Sequence, residues 1–205
     1  MQKCSITKAT LGRLPKYLQF LKDLPEENEY ISATAIANAL GLGEVQVRKD
    51  LNQTSGAGKS KVGYHKKELI KTLEAHLGVN EQTKAVLVGA GKLGRALIDY
   101  EGFGEYGVKI VAAFDNSDAA MSLEKKINIL PMSKFEDFCR EQGINLGIIT
   151  VGEGSAQNVC DIMAKSGITK IWNFAPCKLS VEDNIILKNE NLALSLAHLN
   201  NQLSS

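Results

Sequence analysis

The sequence predicts an α/β fold in two parts, a helical amino-terminal module and a doubly wound parallel sheet, closed by an apolar terminal helix. Three observations carry this. Apolar residues recur at three-to-four spacing up to about residue 78, short apolar runs alternate with helical segments from residue 84 onward, and a glycine-rich turn joins the first of those runs to a helix. The 205 residues, 44% hydrophobic and 23% charged, can bury a core and do not describe a disordered or fibrous chain. Apolar stretches such as 85–88 and 146–151 fall far short of the roughly 20 residues that cross a bilayer. Residues 1–10 lack the hydrophobic centre of a secretory signal, so a cytoplasmic protein without a membrane partner is expected. Cys4, Cys139, Cys160 and Cys177 form no CxxC or Cys/His pattern, which argues against a zinc site or a disulfide scaffold.

In the amino half, Leu11, Leu14, Leu18 and Leu21 mark a first helix that Pro25 closes. Ser32 is a natural N-cap for a second, through Ile36, Ala37 and Leu40, which stops at Gly41-Leu42-Gly43. Glu44 opens a third, with Val45, Val47 and Leu51 expected on its buried side and Gln46, Arg48, Lys49 and Asn52 facing outward. Two short helices about a tight glycine turn form a helix-turn-helix pattern. Residues 52–64, rich in turn formers and carrying Lys59 and Lys61, predict a basic hairpin, and Leu69, Ile70, Leu73 and Leu77 a last helix, so the module is a winged helix-turn-helix domain over 1–78. Its twelve Lys and Arg against eight Asp and Glu give +4, while residues 79–205 carry −3. A basic module joined to an acidic one fits a protein of which one part meets a polyanion.

From residue 84 the alternation predicts strands at 85–88, 109–114, 127–130, 146–151 and 170–174, with crossover helices at 135–142 and 156–166, a Rossmann-type domain over 84–190. The tail, 191–205, carries Leu192, Leu194, Leu196, Leu199 and Leu203 on more than one face, which calls for a partner, most simply a second copy.

Gly89-Ala90-Gly91-Lys92-Leu93-Gly94 is a GxGxxG that follows a strand and opens a helix, and Asp115 ends the next strand 21 positions after Gly94. The first glycine permits the turn, the second lets the main chain approach a pyrophosphate, and the third lets helix and strand pack; Asp115 suits ribose hydroxyls. No Arg follows Asp115, and Asp118 would repel a 2′-phosphate, which favours NAD over NADP. The sheet domain contains no His and no Tyr-x-x-x-Lys, and has no room for a substrate domain, so a nucleotide that is read and not consumed fits best. A small NAD-dependent oxidoreductase with an accessory helical domain is the alternative, and a CoA-binding module shares the glycine turn. On the third helix, Arg48 suits a bidentate guanine contact, Gln46 a base edge, and Lys49, Lys59 and Lys61 phosphates.

The segments Ala39-Leu40-Gly41-Leu42-Gly43-Glu44-Val45-Gln46-Val47-Arg48-Lys49-Asp50-Leu51, Val62-Gly63-Tyr64, Val88 to Leu97, Tyr100-Glu101-Gly102-Phe103, Phe114-Asp115 and Asn173-Phe174-Ala175-Pro176 together resemble the Rex family of bacterial redox-sensing repressors. The resemblance runs in order over almost the whole chain. It implies a homodimer, its terminal helix exchanged, that grips a palindromic double-stranded DNA operator and releases it when NADH replaces NAD⁺. Carried over, it places Tyr100 at the nicotinamide end and Thr150, Val151 and Asn173 along the cofactor. It also puts Asn191, Leu192, Leu196 and Leu199 at the dimer contact near the nicotinamide. The family usually has a Ser-Tyr-Phe-Gly segment and an Arg-Gly pair before the wing, where this chain has Asn52-Gln53-Thr54-Ser55 and Lys59-Ser60-Lys61, and an Asp-Phe pair where it has Asn191-Leu192. These departures predict altered wing contacts and weaker redox discrimination.

Overall fold

The computed structural model describes residues 6–117 and 127–202. They fall into two compact units, one within 1–81 and one within 82–205.

In the first unit, helix α1 (Lys8–Asp23) is capped by Thr7, which accepts from the Thr10 N–H, and it buries Leu14, Tyr17, Leu18 and Leu21. Strand β1 (Tyr30–Ile31) leads to Ser32, whose hydroxyl accepts from the Ala35 N–H at 3.0 Å and starts α2 (Ala33–Leu40). Helix α2 ends at left-handed Gly41, where the Leu42 N–H reaches back to the Ala37 carbonyl at 2.9 Å. Helix α3 (Glu44–Ser55) follows and runs a full turn past Leu51, into the stretch whose composition suggested a hairpin. The hairpin itself is shorter. Lys59 and Gly63 exchange two backbone hydrogen bonds of 2.8 Å, and β2 (Tyr64–His65) then pairs antiparallel with β1. A Cβ at Gly63 would stand 2.3 Å from the Ile31 carbonyl oxygen, so this close approach of hairpin and β1 requires glycine. Helix α4 (Lys66–Leu77) buries Leu69 and Leu73, and the buried Lys66 ammonium donates to the carbonyls of Leu24 and Pro25, tying off the end of α1.

The second unit is a six-stranded sheet of parallel neighbours: β3 (Thr83–Val88), β4 (Val108–Asp115), β5 (Ile129–Pro131), β6 (Leu146–Ile149), β7 (Lys170–Asn173) and β8 (Ile186–Asn189). Their spatial order is β5-β4-β3-β6-β7-β8. Two three-stranded halves meet at β3 and β6, where the order reverses, the place at which open sheets of this kind take ligands beyond the strand ends. The sixth strand is absent from the sequence expectation. Its residues are mostly exposed, Ile186 at 68%, because an edge strand buries little and so carries no continuous apolar run.

Alternate residues of β3 point to opposite faces. Val86 and Val88 meet Phe135 and Cys139 of α6 (Phe135–Gln142) and Ala156, Cys160 and Met163 of α7 (Glu153–Lys165). Ala85 and Leu87 meet Ile98 of α5 (Lys92–Asp99), and Phe103, from the 3₁₀ turn Glu101–Tyr106, and Trp172 pack against that second cluster. Burial pushes the Cys139 thiol up to about 11, which leaves it inert; Cys160 is raised by the same cause, and Cys4 lies outside the described residues. Helix α8 (Leu192–Gln202) leaves Leu192, Leu194, Leu196 and Leu199 exposed. No helix among the described residues is long and apolar enough to cross a membrane.

Candidate functional sites

Helix α3 buries Val47, Asp50 and Leu51, a stripe at spacings of three and four, and this turns Gln46, Arg48 and Lys49 outward. Val45, expected in the core, is instead 83% exposed. The reason is angular: two residues before Val47, it stands about 200° around the helix from it. The Arg48 guanidinium is paired with the Glu44 carboxylate one turn earlier. Between α3 and the hairpin lies a hollow of about 450 Å³ that brings Arg48 and Asn52 together with Lys59, Lys61 and Tyr64. The Lys59 ammonium sits 5.7 Å over the Tyr30 ring, and the tip residue Lys61 adopts a left-handed φ of 64°. Gln46 is exposed but does not line this hollow.

What fixes α3 is a residue without an assigned role in the sequence reading. Asp50 is 1% exposed, yet four donors converge on it. Arg13 grips both oxygens side-on, through Nε at 2.7 Å and a terminal nitrogen at 2.8 Å, Tyr17 donates its hydroxyl at 2.7 Å, and Thr10 donates at 3.0 Å. Burial alone would raise the Asp50 carboxyl, but the hydrogen bonds from Arg13, Tyr17 and Thr10 outweigh it and hold it below the usual range. Tyr17 is pushed up to about 12, by burial first and by its bond to Asp50 second. Thr10, Arg13 and Tyr17 lie on one face of α1, so the network sets the rotation of α3 against α1 as well as its distance.

In the second unit, the turn after β3 lies where the strand order reverses. Gly89 has φ +104°, and a Cβ there would stand 2.8 Å from the backbone of Thr150; one on Gly94 would stand 2.0 Å from the Gly89 carbonyl oxygen. Both positions exclude any other residue. Gly91 differs. Its φ of −69° is ordinary, none of the described residues lies within 4 Å of where its Cβ would be, and as N-cap of α5 it supplies no side chain to the N–H groups of the first turn, residues Lys92, Leu93 and Gly94. The loop therefore presents open donors to empty space, which fits a pyrophosphate.

Asp115 and Thr150 hold this loop from either side. The Asp115 carboxylate accepts from the Ala90 N–H at 2.7 Å and from the Ser117 N–H at 2.8 Å, and Thr150 donates its hydroxyl to the Gly89 carbonyl at 2.7 Å and receives the loop's approach beside Val151. Asp118 lies outside the described residues. Asn173, placed along the cofactor by the resemblance, is fully buried: its amide donates to the carbonyls of Ala175 and Cys177 and to the Asn189 side chain, and its oxygen accepts from the Ala175 N–H. It shapes the turn after β7 from within, because the chain reverses there and needs its backbone groups satisfied. Tyr100 is 60% exposed and packs edge-on against Phe103, which leads to Trp172 and Phe174 in a row of rings. Asn191 caps α8, accepting from the Leu194 N–H at 2.9 Å.

A winged helix-turn-helix with an outward basic face, joined to a dinucleotide-type sheet, defines a class of DNA-binding regulator that carries a nucleotide fold. The comparisons narrow the class. Residues 5–52 match the family model described as "Putative DNA-binding protein N-terminus", and residues 80–177 the model "CoA binding domain". A redox-sensing transcriptional repressor Rex of Treponema denticola is 41% identical over 194 residues, covering 93% of this chain and 91% of that protein. A solved structure of RSP in complex with β-NAD⁺ and operator DNA superposes with a TM-score of 0.89 at 31% identity, covering 97% of this chain and 93% of that one. RSP with β-NADH gives 0.87 at 30% identity, over 97% and 94%. The chain belongs to the Rex family of redox-sensing transcriptional repressors, whose members are named as repressors and not as enzymes.

Proposed function

We propose that this chain acts in the cytoplasm as a homodimer that binds a palindromic operator through its winged-helix module and lets go when NADH replaces NAD⁺ in its Rossmann module. The observation that carries the reading is the glycine loop, clamped between Asp115 and Thr150 at the switch point with open space in front of Gly91. In this role the Gly89–Gly94 loop holds the pyrophosphate, Asp115 reaches the ribose with the lone pairs that the loop does not use, Thr150 and Val151 wall the site, and Tyr100 borders the nicotinamide. Arg48 and Gln46 read bases, and Lys49, Lys59 and Lys61 neutralise phosphates. The leucines of α8 bury themselves against the partner copy, since four large apolar side chains on one short helix are not left to water.

A ligand shifts such an equilibrium only by its differential affinity, and a hundredfold preference supplies about 2.7 kcal/mol per site. The relatives solved with NAD⁺ and operator DNA and with NADH support the pairing of ligand and DNA. The test is a DNA mobility shift on a palindromic duplex with NAD⁺, NADH or acetyl-CoA. Release by NADH alone is expected. Equal retention under all three sinks the proposal, and release by acetyl-CoA alone transfers it to another ligand class. Steady NADH oxidation with a panel of carbonyl compounds favours the oxidoreductase alternative.

A further inference from the structure

We infer that Val45 is a base-reading residue whose isopropyl group receives the C5 methyl of a thymine in the major groove. The inference rests on the reading that α3 enters that groove and goes beyond it by assigning a sequence preference. Val45 is the second residue of α3, in the first turn, where recognition helices address base edges. It is 83% exposed, and it lines one shallow hollow with Arg48, Lys49, Asn52 and Gln53, of which it is the sole apolar member.

The core has no use for it. Val47 and Leu51 are fully buried and fill the contact of α3 with the rest of the module. An isopropyl group has neither donor nor acceptor, so it cannot serve a phosphate or the hydrogen-bonding edge of a base. The one apolar group that bases display in the major groove is the thymine methyl. A cytosine at that place carries hydrogen where thymine carries its methyl, so it offers the same side chain no apolar contact. Register makes this legible to the protein. A roll of α3 by about 30° would carry its surface groups about 3 Å, close to one base-pair rise, and the four donors on Asp50 resist such a roll.

The experiment selects an operator from a random duplex library with the full-length protein, then replaces each thymine singly by deoxyuridine, which removes only the methyl. For the wild type, one thymine in each half-site is expected to lower affinity about fourfold on replacement, the worth of one buried methyl-sized group. Val45→Ala, which disturbs no buried contact, loses that dependence, while Arg48→Ala keeps it. The inference is overturned if no thymine responds, or if Val45→Ala remains equally sensitive to the methyl. A selection that returns no preferred sequence overturns the operator-binding reading itself, which separates the two failures.

Discussion

Gly91→Ala and Gly94→Ala stand three residues apart in the same loop and should separate ligand binding from folding. At Gly94 a Cβ would lie 2.0 Å from the Gly89 oxygen and 3.0 Å from the Thr150 hydroxyl, so helix α5 must move off β3 by more than an ångström. Overpacking of that kind costs about 1–3 kcal/mol, which for a unit of this size lowers Tm by roughly 3–9 °C. At Gly91 the added methyl meets none of the described residues within 4 Å and the backbone is ordinary, so the loss of unfolded-state freedom should stabilise the chain by about 0.4–1 kcal/mol. The same methyl fills the space proposed for the pyrophosphate, and NADH affinity should fall at least about tenfold, or ~1.4 kcal/mol. Calorimetry reads both quantities, as a thermal scan and as a titration with NADH. If Gly91→Ala binds NADH like the wild type, the loop is not the anion site; if Gly94→Ala melts unchanged, the close packing described for it is wrong.

Arg48→Ala should weaken operator binding by about 1–3 kcal/mol and leave NADH titrations unchanged. Lys59→Ala and Lys61→Ala should each reduce the slope of log affinity against log salt by about one while weakening all DNA sequences alike. Leu196→Glu combined with Leu199→Glu should sediment as a monomer where the wild type is expected to sediment as a dimer, and should abolish tight operator binding; a dimeric double variant would relocate the proposed interface. Asp50→Asn should cost about 3 kcal/mol at neutral pH by leaving Arg13 opposite an uncharged group. Because the folded carboxyl titrates below its ordinary value of 3.8, its contribution is present above that pH and is lost as the pH falls through the lower folded value. The difference between wild type and variant should therefore shrink only in acid, which unfolding curves taken across pH measure.

Much of this was legible from spacing. The glycine loop announces itself because its three glycines do three different jobs at fixed separations, and the apolar runs of β3, β4 and β6 are continuous because both faces of the sheet are covered. The limits were physical too. Periodicity assigns a residue to a face only when its neighbours agree, and Val45 is apolar on a polar face, so pattern alone drew it inward. Asp50 carries the opposite difficulty: it lies three residues after Val47 on the buried stripe, a signal that was present, but its partners are some 33–40 positions away on α1 and no local rule links them. The same is true of Asn173, whose burial depends on carbonyls of the following turn.

The row of rings that starts at Tyr100 has a practical consequence. It contains Trp172, the single tryptophan of the chain, whose indole N–H donates at 3.4 Å to Glu190, two residues before the terminal helix begins. Any displacement at the root of that helix changes the polarity around one indole and nothing else of its kind, so the protein comes with its own unlabelled fluorophore. Emission wavelength, corrected for the absorption and emission of NADH itself, then follows the junction between sheet and tail during a nicotinamide titration without a dye.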